Sequence, residues 1–223
     1  MLPFTRQEFL GSFSAYNEAI WPAQIAAYLL GLLAVLLLFW RPRCADRTIA
    51  GILAASWIWT GIGYHWFIGY HWFNFSLINR AAILFAALFV VQGAAIAYVG
   101  VVRNKLRFGI GASPAAWVGI FFVVYSAVVY SMLGIWTGHA YPETPMFGVT
   151  PCPVTIFTFG MLLLTSAHVS RWLLAIPFVW SLIGGSAAFL LDIPQDWLLM
   201  GSGMITLLLM VGRDRQSPSA IVA

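Results

Sequence analysis

Long apolar runs separated by short polar segments cover most of the chain. The runs occupy residues 21–40, 48–67, 77–102, 115–136, 154–168, 172–191 and 197–211. A helix that crosses a bilayer needs about 20 mostly apolar residues, and the run at 154–168 is short for that purpose. The pattern predicts an all-α polytopic bundle of seven transmembrane helices joined by short loops.

The residues before the first run have a different pattern, in which apolar side chains recur every three to four positions over residues 3–18. Thr5 and Glu8 have the spacing of a capping box. Phe9, Phe13 and Tyr16 share one face of the helix that this spacing predicts. The segment is therefore expected to form a short interfacial helix with its aromatic side in the headgroup region, or else a packed lead-in to the first span.

Basic residues set the orientation of the predicted bundle. Nine of the eleven Lys and Arg residues fall in the loops after the first, third, fifth and seventh spans or in the tail: Arg41, Arg43, Arg47, Arg103, Lys105, Arg107, Arg171, Arg213 and Arg215. Because positive loops stay in the cytoplasm, we expect the N-terminus outside and the C-terminus inside. The chain then divides into one membrane domain at 1–212 and a polar cytoplasmic tail at 213–223.

Composition agrees with the bilayer as the main partner of this chain. Hydrophobic residues make up 61% of the sequence and charged residues only 8%, against about 25% charged in soluble domains. The net charge of +4 is spread over short loops, which does not indicate nucleic-acid binding. Cys44 and Cys152 fall on opposite sides of the predicted membrane, so no disulfide within the chain is expected.

A doubled motif stands where the second predicted span meets a polar turn. Tyr-His-Trp-Phe occurs at 64–67 and again at 70–73, separated by Ile68-Gly69. His65 and His71 lie roughly 240° apart around an ideal helix, so they cannot share one helical face. A turn of the chain at Gly69 would let both imidazoles point inward.

The predicted orientation brings the chemically distinctive side chains to the outer face. They are His65, His71, His139, Glu143 and Cys152. Imidazole and thiolate suit copper, zinc and iron, and a carboxylate can complete a zinc site. Our leading hypothesis is a periplasm-facing transition-metal site with His65, His139 and Cys152 as ligands, and with His71 and Glu143 as helpers. A haem would instead need His139 together with His65 or His71 on opposite sides of its ring.

Other readings of the same residues stay open. The histidines can be structural members of an interfacial aromatic belt, and that outer surface can dock another membrane protein or a second copy of the chain. A small-solute permease would use Gln92 in the third span and Gly184 and Gly185 in the sixth, although small residues also serve close helix packing. An enzyme would need His139, Glu143 and Cys152, but the sequence holds no familiar catalytic motif, which favours a protein that is not an enzyme.

Four stretches resemble a family of bacterial multipass membrane proteins known only as a domain of unknown function. They are Tyr16-Asn17 with Ile20-Trp21-Pro22-Ala23-Gln24, Tyr64-His65-Trp66 with Ile78-Asn79, the segment 138–153 (GHAYPETPMFGVTPCP), and 180–185 (WSLIGG) with 194–197 (PQDW). The doubled Tyr-His-Trp-Phe departs from the single copy usual in that family. The resemblance implies a protein of the bacterial inner membrane and supplies no activity, substrate or site.

Overall fold

A computed structural model describes residues 5–72, 81–166 and 168–216, and the side chains within them except those of 68–72 and 214–216. Every regular element in this part of the chain is helical. The α-helices are α1 (Arg6–Ala19), α2 (Ala23–Trp40), α3 (Ala45–Trp59), α4 (Ala82–Ile96), α5 (Pro114–Val124), α6 (Tyr130–Trp136), α7 (Pro151–Leu163), α8 (Ala175–Gly185), α9 (Ala187–Leu190) and α10 (Asp196–Gln216). The π-helical segments Thr60–Trp72, Ala97–Val102 and Tyr125–Val129 follow α3, α4 and α5, and a 3-10 turn, Arg171–Leu174, precedes α8.

Within the described residues, five helical segments are long and apolar enough to cross a membrane. They are Ala23–Trp40, Ala82–Val102, Pro114–Trp136, Arg171–Leu190 and Asp196–Arg213. Each corresponds to one of the seven predicted runs. The other two runs form α3 with its π-helical extension, and α7, which has only 13 residues. The all-helical prediction is therefore confirmed, whereas the count of seven spans stays a prediction.

The N-terminal helix α1 begins with the predicted capping box. The Thr5 backbone N–H donates to the Glu8 carboxylate (2.8 Å), and the Glu8 N–H donates to the Thr5 hydroxyl (3.2 Å). The hydrogen bonds that the carboxylate accepts, first of all that from the backbone, lower the pKa of Glu8. On the aromatic face, the Phe13 ring stacks on the Tyr64 ring with centroids 5.2 Å apart. Protein therefore covers this face of α1.

Helix α7 is buried along its whole length. All 13 of its residues are buried, as expected for a helix that is apolar on every side. At about 20 Å it is shorter than a hydrocarbon core of about 30 Å. The chain just before it is not helical, yet Phe147–Thr150 are buried as well. Irregular backbone at membrane depth is tolerated only where protein surrounds it, and the longer helices around α7 provide that cover.

Contacts between loops define two ends of the bundle, which α7 connects. At one end, which we call the α1 end, α1 meets the segment 137–150 and the turn 191–195. The Tyr16 hydroxyl donates to the Val149 carbonyl, and Leu10 packs in one apolar cluster with Ile193. At the other end, the basic loops meet one another. Arg107 pairs with Asp46 (3.3 Å), and Arg213 donates to the Thr165 carbonyl just beyond α7 (2.7 Å).

Candidate functional site at the α1 end

Buried polar side chains on α1 hold the segment 137–150 in place. The Asn17 amide donates to the carbonyl oxygens of Pro142 (2.7 Å) and Thr144 (2.9 Å). The Tyr16 hydroxyl donates to the Val149 carbonyl (2.8 Å) and accepts from the Trp59 indole (2.8 Å). Burial raises the pKa of Tyr16, so this hydroxyl stays a donor. These bonds give the Tyr16-Asn17 stretch a structural role in presenting 138–153.

His139 and Glu143 belong to a surface clamp, which consists of Arg6, His139, Glu143 and Asp192. The Arg6 guanidinium donates to His139 Nε2 (2.9 Å) and pairs with the Asp192 carboxylate (3.4 Å). His139 Nδ1 lies 3.5 Å from Glu143 Oε2. The clamp ties α1 to the segments before α7 and before α10. Because Arg6 occupies Nε2, this ring nitrogen is not open to a metal ion or to haem iron.

Cys152 lies in a separate, buried polar cluster, which consists of Tyr130, Cys152, Gln195 and Asp196. Asp196 is 1% exposed and accepts a short hydrogen bond from the Tyr130 hydroxyl (2.6 Å). The Cys152 thiol, at the start of α7, lies beside both the carboxyl and the hydroxyl. Among the described residues, no basic side chain forms an ion pair with Asp196.

Gln195 adds unpaired polar atoms to this cluster. Its backbone carbonyl accepts from the Tyr125 hydroxyl (2.9 Å). Its side chain is 1% exposed, and neither the amide nitrogen nor the amide oxygen has a hydrogen-bond partner within the described part of the chain. Buried amides are normally hydrogen-bonded. A buried amide without a partner therefore adjoins Asp196 in the sequence, and the Asp196 carboxyl lies beside the Cys152 thiol.

His65 occupies neither the clamp nor the buried polar cluster. It is 2% exposed, and its ring lies among the rings of Tyr64, Phe85, Phe89 and Trp180. Neither ring nitrogen has a hydrogen-bond partner in the described structure. The backbone continues as a π-helix from Thr60 through Gly69 to Trp72, so the chain does not make at Gly69 the turn that would let both imidazoles point inward. The side chain of His71 lies outside the described residues.

The residues proposed for a transport path are closely packed. The Gln92 amide donates to the Leu173 carbonyl (2.9 Å) and is buried. A Cβ atom added at Gly185 would lie 2.6 Å from the Met200 Cβ atom, and one added at Gly184 would lie 3.0 Å from the Leu199 side chain. These contacts have the form of small-residue packing between α8 and α10.

A comparison with known families adds one result. The model of a family of unknown function, DUF6064, matches residues 6–220. The protein belongs to the DUF6064 family. No curated protein and no solved structure matches the chain. The match confirms the expectation of a family of unknown function, and it assigns no activity to DUF6064 proteins.

Among the residues whose side chains the structure describes, the metal ligands expected from the sequence lie in three separate places. Within the residues that the structure describes, no three His, Cys, Asp or Glu side chains are placed to share a metal ion. His65 lies among rings, His139 and Glu143 in the clamp, and Cys152 beside Asp196. The three groups have different neighbours in the fold, and the order of these residues along the sequence does not indicate which neighbours each would have.

Sequence reasoning missed Asp196 and Tyr130 as site residues. Asp196 directly precedes an apolar run within Pro-Gln-Asp-Trp, and an aspartate in that position is typical of a helix N-terminus in contact with water. Only the packing of α6, α7 and α10 shows that its carboxyl is buried. In this DUF6064 protein the one available signal was the resemblance, which included residues 194–197.

Proposed function

We propose that the chain is a multipass protein of a bacterial cytoplasmic membrane, with the α1 end facing the periplasm. The support is the distribution of charge. Arg107 and Arg213 lie at the end of the bundle opposite α1, while the turn with Asp192 and the segment with Glu143 lie beside α1. Basic loops remain on the cytoplasmic side. The buried polar cluster would then lie in the periplasmic half of the bundle.

We infer that the buried polar cluster binds a transition-metal cation, with Cys152 and Asp196 as the ligands. The observation that carries this proposal is the buried carboxyl beside a buried thiol, with no basic side chain paired to it in the described residues. An ionised carboxylate is costly to bury without a partner. A proton or a cation must therefore accompany it.

The donor set decides which cation fits best. A thiolate and a carboxylate carry two negative charges between them, so a divalent ion would leave the site neutral. Sulfur ligands select zinc or copper over magnesium and calcium. Tyr130 would hold the carboxylate in place through its hydrogen bond to Asp196 (2.6 Å), as partners of metal ligands commonly do.

Two protein ligands make an open site. Structural zinc sites close the coordination sphere with four protein ligands, and this cluster does not supply four. The remaining positions would be taken by water or by the group that delivers or receives the ion. We therefore propose that the metal is exchanged at this site and does not hold the fold together.

Metal content of the purified full-length protein tests the proposal. The protein would be incubated with Zn²⁺ and, separately, with Cu⁺ under reducing conditions, desalted, and assayed by mass spectrometry. Near-stoichiometric metal is expected for the wild type and for Cys44→Ser, whose thiol is exposed at the opposite end. Loss of metal is expected for Cys152→Ser and for Asp196→Asn.

Two results would overturn this assignment. A wild type that stays free of metal after both incubations would exclude the site. Metal that survives in Cys152→Ser but is lost in His139→Ala would move the ligands to the surface clamp. A visible spectrum of the same samples separates haem from metal, because a Soret band lost in a histidine variant would favour a haem bound by imidazole.

A further inference from the structure

An apolar groove lies between α4 and α8 on the outside of the bundle. Its walls include Phe85 and Phe89 from α4 and Ala175, Val179, Trp180 and Ile183 from α8. Val179 and Ile183 are exposed at its rim, so a molecule dissolved in the lipid could enter from the side. The cavity volume is about 140 Å³.

Polar atoms without partners lie directly behind this groove. The His65 ring packs against the three aromatic walls, with centroids 5.7 Å from Phe85, 4.7 Å from Phe89 and 5.1 Å from Trp180. Neither nitrogen of His65 has a hydrogen-bond partner among the described residues, whereas the Trp180 indole lies within reach of the Cys152 thiol. His65 is 2% and Trp180 is 9% exposed. Buried polar groups normally have partners, so a ligand that supplies one fits this location.

We propose that the groove binds the head group of an isoprenoid quinone, with the imidazole of His65 as its hydrogen-bond partner. A neutral imidazole has one N–H donor and one acceptor nitrogen. The donor would bind a quinone carbonyl, and the acceptor would bind a quinol hydroxyl. The apolar tail would leave past Val179 and Ile183 into the lipid. The quinone proposal uses neither Cys152 nor Asp196 as a ligand, although the Trp180 wall of the groove also adjoins the Cys152 thiol.

The size of the groove agrees with a single six-membered ring. An apolar protein cavity of about 150 Å³ holds a benzene molecule, which is close to the volume found here. Flat aromatic walls favour a flat ring, since offset and edge-to-face contacts between rings are stabilising. His65 does not itself line the groove, so the proposal requires the ring of Phe85, which is only half-buried, to rotate aside for the head group to reach the imidazole.

A plain acyl chain explains these observations less well. It would fill the apolar groove and would leave both nitrogens of His65 without a partner. A quinone satisfies the apolar walls and the imidazole together. The two occupants are distinguished by whether binding depends on the His65 nitrogens and on the ring of the ligand.

The test measures binding of a decyl-substituted benzoquinone to the full chain in nanodiscs made without quinone. Bound quinone is quantified by equilibrium dialysis against empty nanodiscs of the same lipid, which corrects for partition into the bilayer. Saturable binding above that background is expected for the wild type. Decanol at the same concentration is expected not to displace the quinone.

Two pairs of variants locate the site. Ala175→Phe places a ring in the groove and should abolish saturable binding, whereas Ala26→Phe, at an exposed position of α2, should leave it unchanged. His65→Phe keeps a ring and removes both nitrogens, so affinity should fall about tenfold for a lost hydrogen bond. Its unfolding temperature should stay equal or rise, because no unpaired polar atom is left buried. His139→Ala is the matched histidine control.

Three results would overturn the proposal. The first is a lack of saturable binding above empty nanodiscs. The second is equal affinity in Ala175→Phe and Ala26→Phe, or in His65→Phe and the wild type. The third is displacement by decanol as effective as displacement by unlabelled quinone, which would show that the groove takes an alkyl chain only.

Discussion

At the residue scale, Asn17 is a fully buried amide that fixes the backbone of a neighbouring segment. Its side-chain amide donates to two carbonyl oxygens, those of Pro142 and Thr144. Its backbone carbonyl accepts from the Gln24 side chain (2.7 Å). The segment 142–144 is more than 120 residues from Asn17 in the sequence and lies beside it only in the fold. Asn17 therefore stabilises the position from which the chain enters α7 and places Cys152.

Replacing Asn17 by Leu should destabilise the protein by about 2–4 kcal/mol. The Leu side chain has a similar size but leaves two carbonyl oxygens without their donor, at about 1–3 kcal/mol for each buried group. Equilibrium unfolding in mixed micelles measures the change. Glu18→Gln, at an exposed position of the same helix, is the control and should change stability by less than about 0.5 kcal/mol. Equal stability of the two variants would contradict the structural role of Asn17.

At the element scale, α7 is held by close approach of backbones and by hydrogen bonds between side chains. A Cβ atom added at Gly160 would lie 2.8 Å from the Gly119 carbonyl oxygen of α5, and one added at Gly119 would lie 2.8 Å from that of Gly160. On another side of α7, the Trp57 indole donates to the Thr158 hydroxyl (2.8 Å). A short helix without contact to lipid is fixed entirely by such neighbours, so its position sets the geometry of Cys152.

Gly160→Ala should destabilise the protein by about 1–3 kcal/mol. The added methyl group meets backbone atoms of α5, which cannot move without separating α5 from α7, and overpacking of this kind has costs of that size. Gly201→Ala in α10 is the matched control, since nothing lies within 4 Å of its added Cβ. Helix propensity alone makes the control neutral or stabilising by up to about 1 kcal/mol. The unfolding temperatures of the two variants, compared with that of the wild type, test this prediction. A Gly160→Ala protein as stable as the wild type would contradict the close packing of α5 against α7.

At the scale of the whole molecule, the bundle has chemically different ends. The α1 end carries the aromatic face of α1, the surface clamp and the buried polar cluster. The other end gathers arginines from two loops and from the last turns of α10, where Arg41 lies against Gly109, Arg107 pairs with Asp46 and Arg213 binds the Thr165 carbonyl. In a membrane this asymmetry determines the side that each end faces.

Reporter fusions should place the two ends in different compartments. Alkaline phosphatase, which is active only in the periplasm, should be active when fused after Gly138 and inactive when fused after Gly111 or at the C-terminus. A fluorescent protein that folds only in the cytoplasm should show the reverse pattern. Phosphatase activity at the C-terminus would contradict the proposed orientation, and with it the placement of the buried polar cluster in the periplasmic half of the bundle.

Hydropathy and residue spacing were enough to predict most of the helices. The runs at 21–40, 115–136 and 172–191 and the capping box of Thr5 and Glu8 appear close to where the sequence placed them. Local rules suffice for these features, because an apolar run long enough to cross a bilayer and a cap three residues from its partner depend only on nearby residues. The family match over 6–220 confirms the expected membership of a family of unknown function, while the individual motifs stay predictions.

The grouping of side chains depended on tertiary structure alone. His65, His139 and Cys152 were expected in one site because the predicted topology put them on one face. In the structure His65 packs among aromatic rings, His139 belongs to the surface clamp, and Cys152 belongs to the buried polar cluster. The rotation of each helix about its axis decides which side chains meet, and nearly uniform hydrophobicity around these helices leaves that rotation unmarked in the sequence. Asp196 is the clearest case, because its burial comes from α6 and α7, which lie far away along the chain.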